Sequence, residues 1–223
     1  YEIPKRDWSS DVCSSDLSGF LGKQICSDLR SADFEVVGAC RTKLNAPNTS
    51  VNVDLSDTSS ALKVFTELQK FDSVVYAAGI GSIEDCEKNP NTAKLINVDV
   101  PVELAKFFVS TECQKYIYIS STRVFSGQTP FIEPTSICDP TTELGRQKSE
   151  AEKLLLKISP KSQVIRFSKI WSPNNLLIKN WTRALRNNEQ IEACSDVSIS
   201  PISLENASRS EEHTSELQSR FGI

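Results

Sequence analysis

YIYISS, residues 116–121, followed after a loop by ELGRQKSEAEK, residues 143–153, is the stretch that decides the fold. The first run is β-branched and aromatic up to Ser120 and Ser121, as expected of a strand covered on both faces whose carboxyl end presents hydroxyls. The second has helical spacing. Leu144 and Lys148 are four residues apart, one helical turn, and share a face. A buried strand ending in serines is thus followed, after a loop, by a helix carrying a lysine.

Working outward, short apolar runs alternate with longer helical patterns. Residues 34–40, 51–55, 73–78, 116–120 and 163–167 read as strands, and 21–30, 59–69, 91–110 and 142–157 as helices. This alternation predicts an α/β protein: a Rossmann-like, doubly wound parallel sheet built by right-handed crossovers. Beyond Pro160 the pattern changes. Residues 170–175 read as a loop, 176–187 as an amphipathic helix with Trp181, and 191–202 as short strands. Trp171 and Trp181 have two readings, stacking on a nucleobase or sugar, or core packing.

The flanks read differently from the middle. Residues 209–219 match the translation of a common short-read sequencing adapter, and residues 7–17 match its reverse complement. The expected organisation is an adapter-derived leader (1–17), a dinucleotide-binding domain (18–158), a partial substrate-binding region (159–208) and an adapter-derived tail (209–223). On this reading the first strand and the C-terminal cap are incomplete. Residues 12–15 are the available candidates for the first strand, although serine and aspartate suit a central strand poorly. His213, the one histidine, falls in the tail, so no histidine chemistry is inferred.

Composition narrows the function. The chain has 223 residues, 39% hydrophobic and 24% charged, with a formal charge of −4. These values suit a globular domain and give no basic footprint for nucleic acid. No apolar run approaches a membrane span, and no metal site is expected. Cys26, Cys40, Cys86, Cys113, Cys138 and Cys194 lack CxxC spacing. Reduced thiols in a cytoplasmic protein is the favoured reading, with a disulfide or zinc framework as the alternative.

Ser18-Gly19-Phe20-Leu21-Gly22 opens the first helix. Together with the serine-ended strand and the lysine helix, it resembles the extended branch of the short-chain dehydrogenase/reductase superfamily. The acidic turn at 84–90 before Asn97-Val98, the loop STRVFSG at 121–127, Glu133-Pro134 and Pro140 resemble the dTDP-4-dehydrorhamnose reductase-like, NAD-dependent epimerase branch that acts on sugar nucleotides. The resemblance implies that Gly19, Phe20, Leu21 and Gly22 form the second half of a Gly-x-x-Gly-x-x-Gly phosphate turn, with Asp16 where the first glycine belongs. It implies that Asp54-Leu55 contacts adenine and that Ala77-Ala78-Gly79 lies along the cofactor. Arg41, where an acidic residue would select NAD, favours NADP over NAD. Ser121 takes the hydroxyl role, Lys148 the lysine role and Asn97 the helix asparagine role. The family's Tyr-x-x-x-Lys has Leu144 at the tyrosine. Leu144 carries no exchangeable proton, so turnover is left open: an altered reductase or epimerase, a non-catalytic dinucleotide- or nucleotide-sugar-binding protein, or a non-functional read-through fragment. Glu143 is the neighbouring carboxylate considered as a substitute proton carrier. The implied partner is a nucleotide-linked sugar.

Overall fold

The structure is a computed structural model. It describes residues 11–15 (as backbone), 19–41, 50–67, 71–111, 113–172, 175–192 and 200–209. Six strands form one all-parallel sheet: β1 (Asp11–Ser15), β2 (Glu35–Cys40), β3 (Ser50–Asn52), β4 (Ser73–Tyr76), β5 (Lys115–Ser121) and β6 (Ser162–Phe167), in the order β3-β2-β1-β4-β5-β6. This is the doubly wound Rossmann order, with its switch point between β1 and β4. The predicted fold class is thus found. Residues 11–15 do take the first-strand position, pairing Ser15 with Ala39 of β2 and with Tyr76 of β4.

Two apolar layers sandwich the sheet. On one face α2 (Thr58–Glu67), α5 (Val100–Val109) and α6 (Glu143–Ile158) bury Phe65, Leu104, Phe108, Ala151 and Leu155 against Val74, Tyr76, Tyr116 and Tyr118. On the other, α1 (Phe20–Ser31) and the short α8 (Leu204–Arg209) cover Val36, Val75, Ile117 and Ile119 with Ile25, Leu29 and Ala207. Strand residues alternate between these layers, so both faces of β4 and β5 must be apolar. A small parallel pair, β7 (Ile170–Trp171) with β8 (Ile202–Ser203), lies beyond the main sheet, and α7 (Leu176–Arg186) connects them.

The helix expected over 91–110 is continuous but changes its winding. After the separate short α3 (Ile83–Lys88) and a break at Asn89, it runs as α4 (Pro90–Lys94), a π-helical turn (Leu95–Asp99) and α5. Proline at 101 has no N–H to give the carbonyl of Asn97 four residues back. The chain widens there, with the Val100 amide bonding the Leu95 carbonyl five residues back. Tyrosines on the sheet take up the exposed acceptors: Tyr76 Oη donates to the Ile96 carbonyl (2.8 Å), Tyr118 Oη to that of Asn97 (2.7 Å), and Tyr116 Oη to that of Pro101 (2.9 Å).

Candidate active site

The site lies at the carboxyl ends of the strands, where β4 and β5 run out beside the start of α6. Thr142 caps α6, its hydroxyl accepting from the Gly145 amide (3.2 Å). That fixes the first turn, which sits against the turn after β5. A Cβ at Gly145 would lie 2.1 Å from the Arg123 carbonyl oxygen and 2.9 Å from Pro140 Cβ. Only glycine permits this approach. It brings Lys148 down onto the strand, where Nζ donates to the Ile119 carbonyl (2.9 Å) and sits 4.5 Å from the centre of the Tyr118 ring. Lys148 is buried, and that burial pushes its pKa down to about 8 against the opposing pull of Glu152 and Cys86.

Gly79, at the end of β4, faces the same spot. A Cβ there would stand 3.1 Å from Asn97 Oδ1 and 3.4 Å from Lys148 Nζ. Asn97 is fully buried and oriented by four bonds: Oδ1 accepts from the Ile80 amide (2.9 Å), and Nδ2 donates to the Ile80 carbonyl (3.2 Å), to Gln147 Oε1 (3.0 Å) and to Cys86 Sγ (3.8 Å). Gln147 also donates to the Pro90 carbonyl (3.1 Å) and to Glu143 Oε1 (3.0 Å), tying α4, the π-helical turn and α6 together. The sequence marks Asn97 and Lys148. It does not mark Gln147, whose role comes from packing at 1% exposure.

Ser121, two residues past the carbonyl that holds Lys148, ends β5 half-buried, its hydroxyl accepting from the Arg123 amide (3.2 Å). The structure brings Gly79, Asn97 and Lys148 together beside this strand end. Gly19 begins α1 in extended conformation (φ −75°, ψ 167°) and has no side chain to cap the helix amides. Phe20 is 46% exposed, Leu21 packs on the α1 face of the core, and Gly22 is buried within the helix. Asp16 lies outside the described residues.

The remaining predicted contacts are more scattered. Arg41 is exposed just after β2. Asp54 accepts from both the amide (2.9 Å) and the hydroxyl (2.6 Å) of Ser56, which hold its carboxyl below the ordinary range, with Arg41 adding to the effect. Leu55 and Ala78 belong to the main core and Ala77 packs on the opposite face.

Leu144 is 4% exposed and packs with Cys86, Ala93, Ile80 and Ile83. Tyr76, Tyr116 and Tyr118 are buried with their hydroxyls spent on backbone carbonyls. Glu143 projects toward Arg146 (2.9 Å) and Gln147, and these bonds lower its pKa. It stays a carboxylate, on the Gln147 side of α6 and not the Lys148 side. Among the described residues no cluster of three or more His, Cys, Asp or Glu forms a metal site, and no helix is long and apolar enough to cross a membrane.

Comparison with known proteins agrees with this fold. Over 156 residues the chain is 28% identical to the probable low-salt glycan biosynthesis reductase Agl14 of Haloferax volcanii, covering 69% of this chain and 51% of that protein. The chain thus spans about half the length of that curated relative. A dTDP-4-dehydrorhamnose reductase from Bacillus anthracis, solved with NADP, superposes with a TM-score of 0.82 at 20% identity, covering 94% of this chain and 72% of that one. MoeE5, solved with UDP-glucose and NAD, superposes at 0.76 and 19% identity, over 95% and 73% of the two chains. The family model described as the RmlD substrate binding domain matches residues 17–216, and the chain belongs to that family.

Proposed function

We propose that this chain is a sugar-nucleotide reductase/epimerase-like protein that binds a nicotinamide dinucleotide, NADP in preference to NAD, and a nucleotide-linked sugar. The observation that carries the reading is the convergence of Gly79, Asn97 and Lys148 at the β5 edge. The absence of a side chain at Gly79 keeps space open against Lys148. The uncapped amides of α1 suit a pyrophosphate, and the Arg41 guanidinium suits a 2′-phosphate. The cofactor, when bound, supplies the hydride acceptor or donor. The chain's own residues do the rest. Lys148 uses one of its three N–H donors on Ile119 and has two for ribose hydroxyls. Ser121 offers a hydroxyl to the sugar carbonyl or carbinol. The structural neighbours solved with NADP, or with NAD and UDP-glucose, support the ligand classes.

A second reading, that the protein binds these ligands without turnover, is favoured by the burial of Leu144 and the engagement of Tyr118 and Glu143 in other bonds. General acid–base catalysis is typically worth about 10²–10⁴-fold, and that factor is missing here. Buried Cys26, Cys40, Cys86 and Cys113 support a reducing, cytoplasmic setting.

Titration with NADPH and NADH, each with and without UDP-glucose, tests the proposal. NADPH is expected to quench protein fluorescence and raise Tm more than NADH, and Lys148→Ala to weaken that binding. Leu144→Tyr is expected to raise nicotinamide oxidation by about 10²-fold or more if the groove is otherwise competent. Failure of either dinucleotide to bind rejects the proposal. Substantial turnover by the unmodified chain rejects the second reading.

A further inference from the structure

The segment between β5 and α6 joins the two candidate reacting side chains, leaving the sheet at Ser121 and re-entering helix at Glu143. It therefore runs beside the strand end and helix start that carry them, where the proposed ligand groove would lie. Most of it has no regular structure, and Phe131 and Ile137 are 99% and 90% exposed. Its position depends on a few polar contacts near its base.

One side chain from outside the segment makes two of these contacts. Arg166, on β6, donates Nη1 to the Pro134 carbonyl (2.7 Å) and Nη2 to Cys138 Sγ (3.5 Å). Its guanidinium lies 5.0 Å from the centre of the Phe125 ring. The same group forks onto the Glu152 carboxylate, with Nε 3.0 and 3.1 Å from the two oxygens and Nη2 at 2.6 Å. Glu152 is 2% exposed and also accepts from the Ser120 hydroxyl. It is one turn after Lys148. A separate clasp, Ser126 amide to Asp139 Oδ1 (2.9 Å) and Asp139 amide to the Val124 carbonyl (3.1 Å), closes the base of the segment.

We infer that Arg166 is a positioning residue for the nucleotide-sugar side of the groove: on one guanidinium it gathers Phe125, Pro134 and Cys138 and locks them to the strand–helix frame that carries Ser121 and Lys148. A planar five-donor fork can serve the carboxylate and the segment at once, and a lysine cannot. The inference rests on the proposed sugar-nucleotide reading for its ligand. The clamp itself rests on the contacts alone.

Two variants test it. Arg166→Lys keeps a cation for the buried Glu152 but loses the fork and the ring contact. Phe125→Leu combined with Cys138→Ala loosens the segment and leaves the Arg166–Glu152 pair intact, which covers the case where Arg166→Lys fails to fold. Chymotrypsin cleavage after Phe131, located by mass spectrometry, reports the clamp. Calorimetric titration with UDP-glucose and with NADPH reports the groove. Cleavage is expected to accelerate several-fold and UDP-glucose affinity to fall about tenfold, the scale of a lost charged hydrogen bond, with NADPH affinity unchanged. Unchanged cleavage in the folded variants overturns the clamp. Faster cleavage with unchanged UDP-glucose affinity overturns its positioning role. If the unaltered chain binds no UDP-glucose, the ligand reading and the groove role fall together, while the cleavage rates still decide the clamp.

Discussion

At the scale of single residues, two buried side chains one turn apart on α6 stand out, Leu144 and Lys148. Leu144 is an apolar group packed against Cys86 and Ile83. Lys148 is forced to hold its ammonium in a buried place, and the sign of the resulting pH effect follows directly. Its pKa falls from 10.5 unfolded to about 8 folded. Below about 8 both states hold the proton and the burial penalty is fully present. Between about 8 and 10.5 the unfolded state holds more protons, so stability from this group rises with pH. Urea titrations are expected to show that rise in the parent chain relative to Lys148→Met, by roughly 3 kcal/mol over the window at about 1.4 kcal/mol per unit. A flat difference between the two chains counts against the buried ammonium. Gly145 gives a second residue-level test. Alanine favours a helix interior, yet here its Cβ meets the Arg123 carbonyl oxygen at 2.1 Å. Gly145→Ala is expected to destabilise by about 1–3 kcal/mol in chemical denaturation, the cost of overpacking, where propensity alone predicts a gain.

At the scale of elements, the π-helical turn is the informative feature. Helical spacing over 91–110 was legible in the sequence, and so was Pro101 inside it. The widened turn was not, because its stability depends on partners from another element. Tyr118 supplies the hydroxyl that the Asn97 carbonyl needs. Tyr118→Phe is expected to cost about 1 kcal/mol or somewhat more, since it leaves that buried acceptor short of a donor. Thermal unfolding checks it, and protection of amides 95–102 from exchange is expected to fall first. Strand β5 was legible because a doubly covered strand needs an unbroken apolar run, as 116–119 has, whereas β4, expected over 73–78, ends at Tyr76. Strand β3 was expected over 51–55 and spans Ser50–Asn52, because Asp54 turns the chain toward α2 through its bonds to Ser56.

At the scale of the whole molecule, the parallel sheet is only as continuous as its central strand. Residues 11–15, poor in strand propensity, sit between β2 and β4. Ladder position outweighs propensity there, since β2 and β4 each present a row of amides and carbonyls that β1 completes. Cys13→Pro removes a donor from the middle of that ladder and is expected to cost about 3 kcal/mol or more. Far-UV circular dichroism and gel filtration would show a loosened or unfolded chain. A variant as stable as its parent would mean that β1 does not contribute to the sheet.

Local pattern alone determined the alternation of strands and helices, the Rossmann class and the pairing of Leu144 with Lys148 on one helix face. These follow from periodicities of two and 3.6 residues, which a linear chain displays. Tertiary structure decided that Gly79, Asn97 and Lys148 meet, that Glu143 turns away to Arg146 and Gln147, and that Arg166 gathers the segment before α6. Those outcomes depend on distances between residues far apart in sequence, set by how closely α6 can approach β5, and no local spacing encodes them.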